Sequence, residues 1–487
     1  MTMYPPPSTS GIVTLGTGAG ESLGDVNVSD AGMNGDIGKA LTAAALRGKI
    51  IYILPGAYTA KTAATISAVG VQVIGIGTPT IEVPTTNTSS VAVLNIESLN
   101  GVRVTGLSIS WSAFVASQIM VNCSPATGTV QVATEIVGNT FTANNDVATG
   151  FVGGTNEMIA VNVEDGSEVL VADNRFYPSL GLTCIKATDG YGTVVKDNVI
   201  SNVTNTFFPD ITDLQRRPMW RGIHMQDETG FTLDSNKIRN CGMIAFGTTY
   251  EIDSAIYIDN ADVAKTTEEL GHVIVQDNRI ENCQSSTNCL MVMRGVRWGN
   301  VNGNWFCFNG IAATKGTGFL KIEGATGATG EVSYKISVTG NHFHNPGTAA
   351  AAAIYLRRCQ NVSIKANDFF ELQSAQAIYL DNSAGTGAAM KCIAVIANEF
   401  EWFSNSPTTR NVVLRDGTTT ALENYAAMAN VAYSGSSAEV VDGFYSGTAP
   451  TGVYTTTKGV MDSSTGIDVA TSADTANLRT NIIMITS

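Results

Sequence analysis

Histidine is scarce in this chain of 487 residues, with four in all, so a histidine-based metal centre is not expected. The eight cysteines form no Cys-x-x-Cys pair and show no metal-ligand spacing. No metal site and no disulfide framework is therefore expected, and the cysteines read as reduced core residues. Charged residues make up only 14%, and the net charge is −14. That balance excludes nucleic acid and anionic membrane surfaces as partners, while leaving glycans open. No apolar run approaches 18 residues, so no membrane insertion is expected. The opening Met1-Thr2-Met3-Tyr4-Pro5-Pro6-Pro7 has neither a basic stretch nor an apolar one, so no secretory signal is expected. With reduced thiols, this points to folding in a reducing cytoplasm.

What the chain does have is a repeat. Asn-x-aliphatic/aromatic recurs at Asn139, Asn174, Asn198, Asn236, Asn278, Asn304, Asn341, Asn367 and Asn398. Upstream of these lie short alternating strands, among them Val161-Asn162-Val163, Ile185-Lys186-Ala187, Ile223-His224-Met225 and Ile354-Tyr355-Leu356. The offset from the first strand residue to the Asn is 13 in four coils. One such unit cannot bury its apolar face alone, so repeated units must stack. Alternation puts one side of each strand inward and the other in solvent. With Asn able to accept a left-handed corner, the pattern predicts an all-β chain folded as a right-handed parallel β-helix.

Composition divides the chain into three. Residues 1–34 are Pro-, Gly- and Ser-rich and read as an N-terminal arm. Residues 35–404 read as the solenoid, opened by a short capping helix over Lys39–Leu46. The Asn repeat stops after about residue 405, and 405–487 read as a small β-rich C-terminal capping or trimerisation module.

Aligning the strands gives outward columns. One runs Asn162, Lys186, His224, Tyr257, Met291, Lys321, Tyr355, Tyr379; the next runs Glu164, Thr188, Gln226, Asp259, Met293, Glu323, Arg357, Asp381. Adjacent coils lie ~4.8 Å apart, so carboxylates, cations and tyrosines form a ladder suited to an extended polymer. Flat tyrosine rings are expected to stack on sugar faces with their hydroxyls in water. Long insertions flank the same strip, and loops on a rigid scaffold carry function. The predicted cleft surrounds His224, Gln226, Asp227, Tyr257 and Asp259, walled by Trp220 and Tyr250. Tyr355, Arg357 and Tyr379 extend the binding strip. Glycoside hydrolysis needs two carboxyls, and Asp227 with Asp259, or Asp259 with Glu323 at ~9–10 Å, are the candidate pairs.

The block Leu54-Pro55-Gly56-Ala57-Tyr58, the helix before it and the Asn repeats resemble the pectate-lyase-like β-helix superfamily, phage tailspikes included. The resemblance covers residues 35–403. It implies a homotrimeric tailspike-like protein of the virion tail, folded in the host cytoplasm. Such a protein recognises host surface polysaccharide, with or without depolymerising it, and attaches to an adaptor or tail protein through its arm. A non-catalytic structural or adhesive virion protein is the alternative. Arg216-Arg217-Pro218-Met219-Trp220-Arg221 also resembles the Arg-x-Pro-x-x-Arg pattern of pectate lyases. By that resemblance Arg216 or Arg221 acts as base or substrate clamp in a polysaccharide lyase. Gln226-Asp227 stands where Asn-Asn usually follows. No cofactor is expected, except calcium if the lyase reading holds.

Overall fold

The computed structural model describes residues 11–456 with interruptions, the longest being 144–156, 202–218 and 435–453. It falls into two compact units, Met1–Tyr257 and Ile258–Ser487. Each unit is built from three parallel sheets to which every coil adds one strand, the architecture of a right-handed parallel β-helix. In the third sheet Val161 faces Ile185 and Ile185 faces Ile223. In the second unit Ile322 faces Leu356, which faces Leu380. All six are buried, so the aliphatic columns the alternation predicts form the core.

The repeated asparagines have a different job from the one their backbone freedom suggests. The left-handed residue is the one before each Asn: Asp173, Asp197 and Ser235 in the first unit, Asp277, Ala366 and Ala397 in the second. The Asn itself turns inward and is buried. Its carboxamide oxygen accepts from the backbone of the preceding Asn, as from Asn174 N to Asn198 Oδ1 at 3.1 Å and from Asn304 N to Asn341 Oδ1 at 2.9 Å. Its Nδ2 donates to a carbonyl of an earlier coil, for instance Asn341 to Val301 O at 2.9 Å. The ladder satisfies backbone groups that a sharp corner between sheets would otherwise leave buried and unpaired. Two residues on, an aromatic ladder fills the core: Phe306–Phe343–Phe369–Phe400, at ring separations of 5.0, 4.9 and 4.5 Å.

The solenoid extends beyond the predicted limits at both ends. Ile12–Gly16 pairs in parallel with Ile50–Ile53, so residues expected in an arm already belong to the first sheet. The tripeptide Val13-Thr14-Leu15 alternates, with Val13 and Leu15 buried, inside a segment whose overall Pro and Gly content conceals it. At the other end the Asn ladder does not stop at residue 405. Asn398 N donates to Asn430 Oδ1 at 3.0 Å, and Asn411–Asp416, Ala426–Met428 and Val431–Ser434 add a further coil. A Ser/Thr-rich stretch hides strands well, because parallel pairing on an existing edge uses only backbone groups.

The predicted helix spans Ile37–Ala45, and Asp36 caps it by accepting from Gly38 N at 3.0 Å. Asp36 also receives Lys61 N at 2.9 Å and Thr62 Oγ1 at 2.6 Å, which ties the helix to the start of the third sheet. Seven of the eight cysteines are buried, Cys392 is exposed, and all eight are free thiols. Burial pushes Cys123 up to about 12 and raises Cys184 and Cys359 as well.

Candidate functional site

The outward face of the third sheet carries the predicted strip, with one change of register. Val292 faces Lys321, and Arg294 faces Glu323. The column therefore contains Val292 and Arg294, not Met291 and Met293. Met291, Val292 and Met293 are all buried, so hydrophobic alternation gives no signal there, and a slip of one residue exchanges the two faces.

The correction changes the chemistry. In the second unit the column alternates in charge: Arg294, Glu323, Arg357, Asp381. Arg294 donates to Glu323 Oε1 from Nε at 3.0 Å and Nη2 at 2.9 Å, and its Nη1 lies 3.6 Å from Asp259 Oδ2. Lys321 Nζ is 2.9 Å from Glu323 Oε2. Burial by itself raises the Glu323 carboxyl, but Lys321 and Arg294 outweigh it and hold it below the usual carboxylate range. Glu323 and Asp259 thus share a guanidinium. Glu323, held ionised, is unsuited to serve as a proton donor in hydrolysis.

Tyr355 and Tyr379 stack on each other at 5.4 Å and 27°. The Tyr355 hydroxyl donates to Asp381, and Arg357 Nε lies 3.7 Å from the same carboxylate. Burial and this bond keep the Tyr355 phenol protonated far above its ordinary range. The two rings turn faces toward each other, and the Tyr355 hydroxyl is engaged, contrary to the expectation of free faces and wet hydroxyls.

A second cluster lies on the same sheet in the first unit. Arg221 Nε binds Asp253 Oδ2 at 2.7 Å, and its guanidinium sits 3.8 Å from the centre of the Tyr257 ring. Its Nη1 lies 3.1 Å from His224 Nδ1 and 3.2 Å from Nε2, while Nη2 has no partner among the described residues. The centre of the Trp220 ring lies 5.5 Å from the guanidinium carbon. His224 packs edge-on to Tyr257 and is buried. Burial, then Arg221, then Lys186 lower its pKa well below the usual value, so it is neutral. Lys186 is itself anchored by Glu157 at 3.1 Å, and Thr183 donates to the same carboxylate at 2.6 Å.

Of the predicted site residues, Arg221, His224, Trp220 and Tyr257 thus come together. Asp253 and Glu157 complete the cluster; nothing local in the sequence marked Glu157, which reaches the site only through coil stacking. Asp227 stands apart: it occupies a left-handed corner at φ 51°, stacked in sequence with Asp165 at 49° and Asp189 at 59°. Gln226 ends the strand beside it, and its carbonyl accepts from Asp189 N at 3.1 Å. Asp227 and Asp259 fall in different units. Arg216 and the Tyr250 side chain lie outside the described residues. Among the described residues no cluster of His, Cys, Asp and Glu has a metal-binding arrangement.

No protein-family profile and no curated protein matches the sequence. Solved structures of similar fold include the Dettilon tailspike protein, with a TM-score of 0.46 and 12% identity over 84% of this chain and 64% of that one. The chain thus spans slightly less than two thirds of that tailspike. A mannuronic acid-specific family 6 polysaccharide lyase from human gut microbiota gives a TM-score of 0.49 and 11% identity, over 80% of this chain and 81% of that one. The Streptococcus pneumoniae surface adhesin PfbA gives 0.45 and 12%, over 85% and 97%. A spike, an enzyme and an adhesin are alike here in fold, and fold alone does not choose among their functions.

Proposed function

We propose that this chain is a tailspike-like receptor-binding protein that recognises a host cell-surface polysaccharide. In this reading it is a homotrimer on the virion tail, attached through its N-terminal residues to a tail or adaptor protein. One observation carries the glycan reading. Tyr355, Arg357 and Tyr379 form a half-buried row on two adjacent coils, held by their mutual stacking and by the buried Asp381. A rigid row of this kind meets an extended, hydroxyl-rich polymer at little ordering cost.

A polysaccharide lyase is the second reading, and Arg221 favours it. Clamped by Asp253 and Tyr257 with Nη2 unpaired, it is preorganised to receive a carboxylate, as a uronate-cleaving site requires.

The test uses purified protein with capsule and lipopolysaccharide extracts, measuring both retention and fragment release. Retention lost in Arg357→Ala or Tyr379→Ala, without fragmentation by the native protein, supports the receptor-binding reading. Unsaturated products that disappear in Arg221→Ala select the lyase. Neither retention nor release across a broad panel removes both and leaves a structural virion protein.

A further inference from the structure

The second sheet of the second unit holds a group of side chains that the glycan reading does not use. Cys307 and His344 face each other on adjacent coils. Cys307 Sγ lies 3.3 Å from His344 Nδ1, and His344 Nε2 lies 2.9 Å from Glu371 Oε2. The two contacts assign the tautomer: Nε2–H donates to the carboxylate, and the Nδ1 lone pair accepts the thiol proton. Nucleophile, base and orienting carboxylate stand in the order that thiol and hydroxyl acyl transfer requires. The indole N–H of Trp305, two residues from Cys307 on the same face, favours the thiolate. His344 is 19% and Glu371 36% exposed, so the line ends at the surface, with Trp305 and the Phe370 ring beside it.

We propose that Cys307, His344 and Glu371 form an acyl-transfer site for a small carboxylic ester. Cys307 Sγ attacks the ester carbonyl as its proton passes to His344 Nδ1. The tetrahedral adduct expels the alcohol oxygen, which takes that proton from His344, and a thioester remains on Cys307. Water, deprotonated by His344, then attacks the thioester and releases the carboxylic acid and the free thiol. Glu371 holds the imidazole orientation throughout and stabilises the imidazolium. Burial, followed by Glu281, pushes the thiol up to about 11. The resting nucleophile is therefore the thiol, and His344 serves as a general base in the attack.

The test treats the full-length protein with p-nitrophenyl acetate at pH 8, in a Cys392→Ser background that removes the exposed thiol. Acetylated peptides are mapped by mass, and p-nitrophenol release is followed in time. The expected result is an acetyl group on Cys307, with its formation slowed roughly a hundredfold in His344→Gln and by a smaller factor in Glu371→Gln. Thermal melting of each variant establishes that it is folded, and Glu371→Gln serves if His344→Gln is not. No acetyl on Cys307, or acetylation at the same rate in folded His344→Gln and Glu371→Gln, overturns the proposal. The glycan-retention experiment is indifferent to either outcome.

Discussion

Arg294 binds Glu323 at 2.9 Å and lies 3.6 Å from Asp259, so one guanidinium holds two carboxylates that spacing alone would offer as a hydrolytic pair. Shared in this way, they stabilise the coil stack. Glu323 is depressed in the folded protein, so its contribution is complete above the unfolded value near 4.5 and is lost as pH falls below it. Glu323→Gln is expected to cost about 2–3 kcal/mol at pH 7, and progressively less in acid. Urea unfolding of both proteins at pH 7 and pH 3.5 checks this; an equal difference at both pH values would contradict the assignment.

The Asn ladder predicts a positional effect. Asn341 both accepts from Asn304 N at 2.9 Å and donates to Val301 O and Asn367 Oδ1, each at 2.9 Å. Asn341→Ala orphans buried groups on both sides and should destabilise by about 2–4 kcal/mol. Asn430→Ala removes the last of the described rungs and should cost less. Thermal denaturation of the two variants decides the order.

His224 is neutral when folded because burial and two cations disfavour its charge. The unfolded chain takes up that proton near pH 6.5, the folded chain only well below it. Stability should therefore fall as pH drops through 6.5, by up to about 1.4 kcal/mol per pH unit. His224→Gln should flatten that slope. Unfolding midpoints at pH 7.5 and 5.5, native against variant, measure it.

Asp227 sits at φ 51°, a conformation for which glycine carries no penalty. Asp227→Gly should leave any depolymerising activity near the native level, whereas Asp227→Val should add a backbone penalty of roughly 1–2 kcal/mol. Activity abolished in a folded Asp227→Gly would restore the carboxylate to a catalytic role.

Tyr379→Ala opens the stack under Tyr355 and should lower glycan retention at least tenfold, while Tyr355→Phe, which loses only the bond to Asp381, should lower it less. Binding isotherms on the same polysaccharide compare the two.

Much of the fold was legible in single residues. Asn174 and Asn198 announce the coil because a buried carboxamide ladder needs the same residue at the same corner each time. Asn430 escaped notice because Val431-Ala432 follows it where other coils place a larger apolar residue. The Arg221 cluster was half visible: Arg221 and His224 are neighbours on one strand, while Asp253 arrives from the next coil and Glu157 from an earlier one.

By itself the sequence determined the parallel coil, its inward columns and its corners, because these rest on local alternation and on identical residues stacking upon one another. Only the tertiary structure decided which outward side chains meet. That depends on the register of each coil against the next, and at Met291-Val292-Met293, where every residue is apolar and buried, the sequence holds no record of it. The one-residue difference put Arg294 beside Glu323, turning a row of presumed catalytic acids into a row of ion pairs.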